Sequence, residues 1–429
     1  MAEPRPQPAA AVDAVYRAEY PKVLGAVARS TGDLELAEDA VQEAFGQALR
    51  TWPTNGVPTN PAAWLTTVAR RRALDVLRRD GRRPELERRA APAAAAGLTG
   101  RDPAAAERDE LAMVFLACHP ALSGSARTIV ALRFVFGLQV PEIARVLLVG
   151  EPGVAKQLQR ARAKIRDARF AIAVPPEERL GERLPSALDC LYLVFTEGYA
   201  SSIHEDLIRV DLCEESMRLT RQLTRLAPDD DSAHALLALM CFQHSRAGAR
   251  LDDHGELVLL EDQDRARWDG RLIAEGRVHL QRATRSSDAD RRTRAYVIQA
   301  QLAALHAVAP SWEATDWPAM LGLYDELLEL ADSPVVALNR VVAVSFVAGP
   351  GPALEQLDAL AHEPRLVEAH PYHAVRADLL ARLGRHDAAT DAYDRAAQLA
   401  RSSAERRFLL RRRRSGGDGT RDDQPRGQP

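Results

Sequence analysis

The chain has 429 residues, 57 of them Lys or Arg and 60 Asp or Glu, and 46% are hydrophobic, enough for buried cores and too many for one ordinary domain. No apolar run approaches the about 18 residues of a membrane span, and the Pro/Ala-rich start lacks the basic-then-apolar order of a secretion signal, so a cytoplasmic protein with no membrane partner is expected. The net charge of −3 hides an asymmetry: residues 1–170 carry 25 basic and 19 acidic side chains (+6), and the remainder carries −9, which assigns any nucleic-acid site to the first part.

Almost every periodic segment has helical spacing, so the chain reads as all-α. Residues 1–10 and 414–429 read as tails. The small-residue stretch within 84–108 and a segment at 171–184 read as linkers. In the first unit, 11–83, Asp33 is a candidate N-cap for a helix with Leu34, Ala37, Val41, Phe45 and Leu49 on one face; Pro53 is expected to stop it. The opposite face offers Glu35, Glu38, Asp39, Gln42 and Glu43. A second helix starts at Asn60 and Pro61 and is predicted to bury Leu65, Val68, Ala69, Ala73, Val76 and Leu77. It exposes Arg70, Arg71, Arg72, Arg78 and Arg79 and continues into Arg82 and Arg83. Such an arginine row beside Trp52 and Trp64 suits melted or single-stranded nucleic acid, where guanidinium groups hold phosphates and bases stack on rings.

Residues 109–170 show three short apolar helices, at 126–136, 141–148 and 152–168, with Gly150 in the tight turn of a helix-turn-helix. In the third, Val154, Leu158, Ala161 and Ile165 share one side. Gly153, Lys156, Arg160 and Lys164 point the other way, flanked by Gln157 and Gln159. A recognition helix in a major groove needs this division into an apolar anchor and a basic, amide-bearing front.

From 185 to 413 the chain reads as helix-pair repeats: Tyr324 and Tyr393, each followed by Asp, lie 69 residues apart, close to two periods of about 34. The run from Arg376 to Gly384 and Arg385 has the alternation of a packed pair ending in glycine. Enzyme readings are weaker. His204, Glu205 and Asp206, and the run Asp252, Asp253, His254, Gly255, Glu256, contain ligand-type side chains without HExxH spacing or a third ligand. Cys118 and His119 are adjacent on a helix and point about 100° apart, so Cys118 reads as a small core residue. The four cysteines, with Cys190, Cys213 and Cys241, form no CxxC, and Gly349 to Pro352 reads as a turn rather than a phosphate loop. No metal, no cofactor and no catalysis are expected.

Over residues 11–170 the chain resembles an RNA polymerase sigma factor of the extracytoplasmic-function group. The carrying residues are Leu36 to Phe45 (LAEDAVQEAF), Trp64 and Leu65, Ala69 and Arg70, Ala73 to Asp75, Arg78 and Arg79, then Glu142 to Ala144 and Arg160 to Arg162. The resemblance implies a region-two helix that docks on the polymerase clamp through Glu38, Asp39, Gln42 and Glu43. It further implies a helix that grips the minus-ten element through Trp64, Arg70, Arg71, Arg72, Arg78 and Arg79. Region four would read the minus-thirty-five element through Gly153, Lys156, Gln157, Gln159, Arg160 and Lys164. Arg71 stands where the family usually has Asn, and Gln157 where it commonly has Arg. Cys118 to Leu122, Leu193 to Tyr199, Leu259 to Trp268 and Ser333 to Arg340 are similar to the subgroup with a C-terminal tetratricopeptide-like extension. Implied partners are core RNA polymerase, promoter DNA and a protein or peptide at the extension, which would regulate initiation. The rival readings are a helix-turn-helix regulator with a peptide-sensing repeat domain that never engages polymerase, and an enzyme housed in 185–413.

Overall fold

The structure, a computed structural model, describes residues 8–79, 103–147, 149–201, 210–252, 254–285, 289–400 and 403–417. Expectations for the N-terminal tail before Pro8, for Arg82 and Arg83, for most of the 84–108 linker, for Leu148, for His204 to Asp206 and for 418–429 lie outside these residues. Among the described residues the secondary structure is helical apart from one isolated bridge between Leu251 and Leu257, so the fold is all-α. No helix among them is long and apolar enough to cross a membrane. The chain divides into two compact units, Met1–Glu197 and Gly198–Pro429.

The first unit opens with α1 (Pro8–Thr31), α2 (Leu34–Asn55) and α3 (Pro61–Arg79). Their shared core holds Tyr20, Leu24 and Val27 from α1, Ala37, Val41, Ala44 and Phe45 from α2, and Leu65, Ala69, Ala73 and Leu77 from α3. Asp33 caps α2 by accepting the Leu36 N–H at 3.1 Å, and the Asn60 side chain accepts that of Ala63 at 3.0 Å. Pro53 does not end α2. It costs one hydrogen bond, to the Leu49 carbonyl, and the helix runs on to Asn55, where Gly56 at φ 79° donates its N–H to Trp52 O at 2.9 Å. Leu49, expected on the apolar face, is exposed, and Val68 and Val76 are only half-buried.

The unit continues with α4 (Pro103–Ala117), α5 (Gly124–Phe134), α6 (Val140–Val146), α7 (Glu151–Asp167) and α8 (Glu177–Ser201). Helices α5 to α7 are the three expected from periodicity, and Gly150 is the N-cap of α7. Helix α8 corrects the expected connector at 171–184. Its start is held by Arg183, which donates to Phe115 O at 2.6 Å, and by Arg127, which donates to Ser186 Oγ at 2.8 Å. Leu184, Leu188, Leu191 and Val194 then bury one face. Cys118 is buried and hydrogen-bonded to the buried free thiol of Cys190; that bond and burial raise its pKa well above the usual thiol range, the mark of an inert core cysteine.

The second unit is a run of helices in which sequence neighbours pack on one another. Among the described residues two apolar clusters lie within 298–409, after the buried helix Asp231–His244. One joins Ile298, Leu302, Trp317, Met320 and Leu327. The other joins Leu338, Val341, Leu354, Leu357, Tyr372, Leu380, Tyr393 and Leu409. Tyr324 and Tyr393 sit on helices that begin 69 residues apart, at Trp317 and His386, as a helix-pair repeat requires. In the run 252–256, of which Asp253 lies outside the described residues, Asp252 and Glu256 have structural tasks. Asp252 accepts the N–H groups of His254 and Glu256, and the Glu256 carboxylate takes Arg407 at 2.9 Å and also Arg411, both on the last described helix, Ser403–Gly417.

Candidate nucleic-acid and polymerase interface

Three helices of the first unit present the chemistry. On α2 the acidic face is split. Asp39, Gln42 and Glu43 are exposed, whereas Glu38 is 5% exposed, which corrects the expectation that it stands in solvent. Its carboxylate accepts Arg133 Nη2 from α5 and Arg162 Nη2 from α7, each at 2.6 Å, and the Tyr20 hydroxyl at 3.4 Å. The Arg133 guanidinium lies 5.4 Å above the Tyr20 ring. Partial burial, and next the Glu38 charge, hold the Asp39 pKa above its ordinary value.

On α3 the arginines divide as well. Arg71, Arg78 and Arg79 are exposed, while Arg70 and Arg72 are half-buried rather than free in solvent. Arg70 reaches back to Ala26 O on α1 at 3.5 Å, and Arg72 pairs with Glu43 of α2 at 2.5 Å. Trp52 is buried, so it serves the core and not base stacking. Trp64 is half-buried, with its ring centroid 5.5 Å from that of Trp52 in an edge contact.

Helix α7 has the arrangement read from its sequence. Val154, Leu158, Ala161 and Ile165 are buried, and Gly153, Lys156, Gln159, Arg160 and Lys164 are exposed, with Gln157 half-buried between them. Lys164 alone of these is engaged within the unit, donating to Ala121 O. The free cations and amide lie along one side at the N-terminal two-thirds of the helix. That side could enter a groove without disturbing the apolar anchor.

Residues 15–83 match sigma-70 region 2, and residues 112–165 match sigma-70 region 4. The chain is 40% identical over 406 residues to an uncharacterised protein of Rhizobium meliloti, covering 93% of this chain and 94% of that one. It is 31% identical over 172 residues to the probable ECF RNA polymerase sigma factor SigI of Mycobacterium tuberculosis, covering 39% of this chain and 58% of that protein. Over 143 residues it is 34% identical to the probable RNA polymerase sigma factor RfaY of Xanthomonas campestris, covering 32% of this chain and 35% of the other. The chain belongs to the extracytoplasmic-function sigma factors, with a C-terminal extension. Within that extension residues 183–284 match a family of unknown function. No solved structure matches.

In this sigma factor the residues joining region 2 to region 4 were not read from the sequence. Tyr16, Tyr20 and Arg133 carry no motif that singles them out, and Arg162 reads from the sequence only as part of the region-four motif. Their partners lie up to 124 residues away, and no local periodicity encodes such a pairing.

Proposed function

We propose that this sigma factor joins core RNA polymerase, directs it to a promoter and helps to open the start region, with no chemistry of its own. Domain limits on this reading are 11–83 for region 2, 109–170 for region 4, whose packing is completed by α8, and, of the 185–413 expected from the sequence, the helices that follow α8 for a tetratricopeptide-like domain that regulates initiation by holding a protein or peptide. The observation that carries the reading is the division of labour on α7, where a buried apolar row backs an exposed row of Lys156, Gln159 and Arg160, downstream of an exposed acidic patch at Asp39, Gln42 and Glu43. Acidic groups on α2 suit a basic protein partner and repel DNA, so the two surfaces serve different ligands. Arg71, Arg78 and Arg79 of α3 remain to hold the minus-ten strand, with Trp64 beside them. The test is titration of the labelled full chain with core polymerase. Saturable binding that weakens on Glu43→Arg or Asp39→Arg substitution is expected; absence of binding by the folded wild type would reject the reading.

A further inference from the structure

The second unit holds an open recess of about 230 Å³ whose walls include Phe242, Arg246, Trp268 and His306, with Ala303 and Ala307 one turn apart on the helix Arg291–Val308. Two sequence runs that promoter and polymerase recognition leave unused meet beside it. The run Leu193–Tyr199 contributes the Tyr199 ring, 3.7 Å from the Arg250 guanidinium and 6.0 Å from that of Arg246. The run Leu259–Trp268 contributes Arg265, which lies 4.5 Å over the Trp268 ring and donates through Nη1 to His306 O at 2.7 Å. We propose that this recess binds a small organic acid, a carboxylate carried on a flat apolar body. The inference goes beyond promoter recognition and does not depend on polymerase docking.

Two arguments carry it. The first is charge. Among the described residues none of Arg246, Arg250 and Arg265 forms an ion pair with a carboxylate; their contacts are rings and backbone carbonyls. Burial, and then the charge of Arg246, lower the pKa of Arg250; burial and Arg246 lower that of Arg265 against the field of Glu313, whose own oxygens are taken by the Ser311 hydroxyl and its own N–H. Three like charges are thus left partly out of water in a C-terminal part that carries −9 overall, where carboxylates are plentiful. That arrangement costs free energy unless an anion joins it. The second is hydrogen bonding. Trp268 is only 8% exposed and its indole N–H has no acceptor, and the buried Nη2 of Arg265 has none either. Both groups are donors only, so the missing partner is an acceptor. The Phe242 and Trp268 rings and the two alanines give its body an apolar slot, which inorganic phosphate would leave unused. With a volume below the about 300 Å³ at which sites for drug-sized ligands begin, the recess suits a single ring and its head group.

The test is calorimetric titration of the full chain with four probes: benzoate, N-acetylphenylalanine as the counterpart of a peptide C-terminus, benzamide as the uncharged match of benzoate, and inorganic phosphate. Saturable binding of benzoate or N-acetylphenylalanine is expected, at least about tenfold tighter than that of benzamide, which lacks the charged acceptor, or of phosphate, which lacks the apolar body. The tighter of the two acids tells a free acid from a peptide terminus as the source of the carboxylate. Arg246→Gln should weaken binding at least about tenfold. Because it removes one of three like charges, it should also leave the melting temperature of the ligand-free chain unchanged or higher, which replacement of a structural arginine would not. Ala307→Leu, which fills the recess, should abolish binding. No saturable binding of either acid in the millimolar range by the folded chain, equal affinity for benzamide or phosphate, or an affinity unchanged in folded Arg246→Gln and Ala307→Leu would overturn the proposal. A lower melting temperature of ligand-free Arg246→Gln would assign the arginine to the fold and overturn it as well.

Discussion

Glu38 and Asp39 are neighbours on α2 with opposite surroundings. Glu38 is buried among cations from α5 and α7, and Asp39 faces solvent beside that negative charge. Charge reversal of both at once would therefore mix two effects. Asp39→Arg alone should change stability by less than about 0.5 kcal/mol and weaken core polymerase binding; denaturant unfolding and a binding titration separate the two. His306 in the second unit gives a pH prediction. Burial, and then the charges of Arg246 and Arg265, lower its pKa from 6.5 to about 4. A group depressed in the fold contributes stability that is complete above the unfolded value and is lost as pH falls through the folded one. The second unit should thus lose up to about 3 kcal/mol between roughly pH 6.5 and 4 through this residue. His306→Phe, which keeps a ring against Trp312 and Trp317, should flatten that part of the slope in a series of melting curves. Burial lowers the pKa of His234, His244 and His279 too, so each contributes in the same direction.

Within single helices, capping and amphipathicity are legible in the sequence. Asp33 and Asn60 begin α2 and α3, Gly150 precedes α7, and the four apolar residues of α7 are the four that are buried. These signals are local, set by hydrogen bonds within one turn and by a 3.6-residue period. Pro53 misled because the one bond it removes leaves the last turn to be closed by Gly56 N–H on Trp52 O, and Trp52 misled because ring type does not tell a buried aromatic from an exposed one. Two expectations follow for these helices. Asp33→Ala should destabilise the first unit by about 1 kcal/mol, read by equilibrium unfolding. Lys156→Ala and Arg160→Ala should weaken binding to the upstream promoter element, by roughly 1–3 kcal/mol where a base contact is lost, or mainly with a lower salt dependence where the lost contact is to phosphate. Equal affinity of both variants for all templates at every salt concentration would remove α7 from the interface.

For the whole molecule, the boundary of the first unit falls inside α8 and not in the expected connector, because Arg127, Arg183 and Cys190 tie α8 to α4 and α5 through partners 59 to 72 positions apart, a distance no linker signal in the sequence reports. A chain cut near Phe170 would strip Leu184, Leu188, Leu191 and Val194 from the core and expose Cys118. A cut after Ser201, at the end of α8, keeps that core and tests the extension fairly. We expect it to remain helical and to lose promoter activity, since motifs spread along the extension point to a supporting role. Unchanged transcript strength and promoter choice would show that the extension does not regulate initiation. Whether the chain is a working initiation factor is decided by transcription with purified full-length protein, core RNA polymerase and a library of genomic templates. Discrete transcripts are expected that require both the sigma factor and the core enzyme and that disappear with Asp39→Arg and Glu43→Arg combined. Transcripts independent of the added protein, or none from a folded preparation that fails to bind core polymerase, would contradict it.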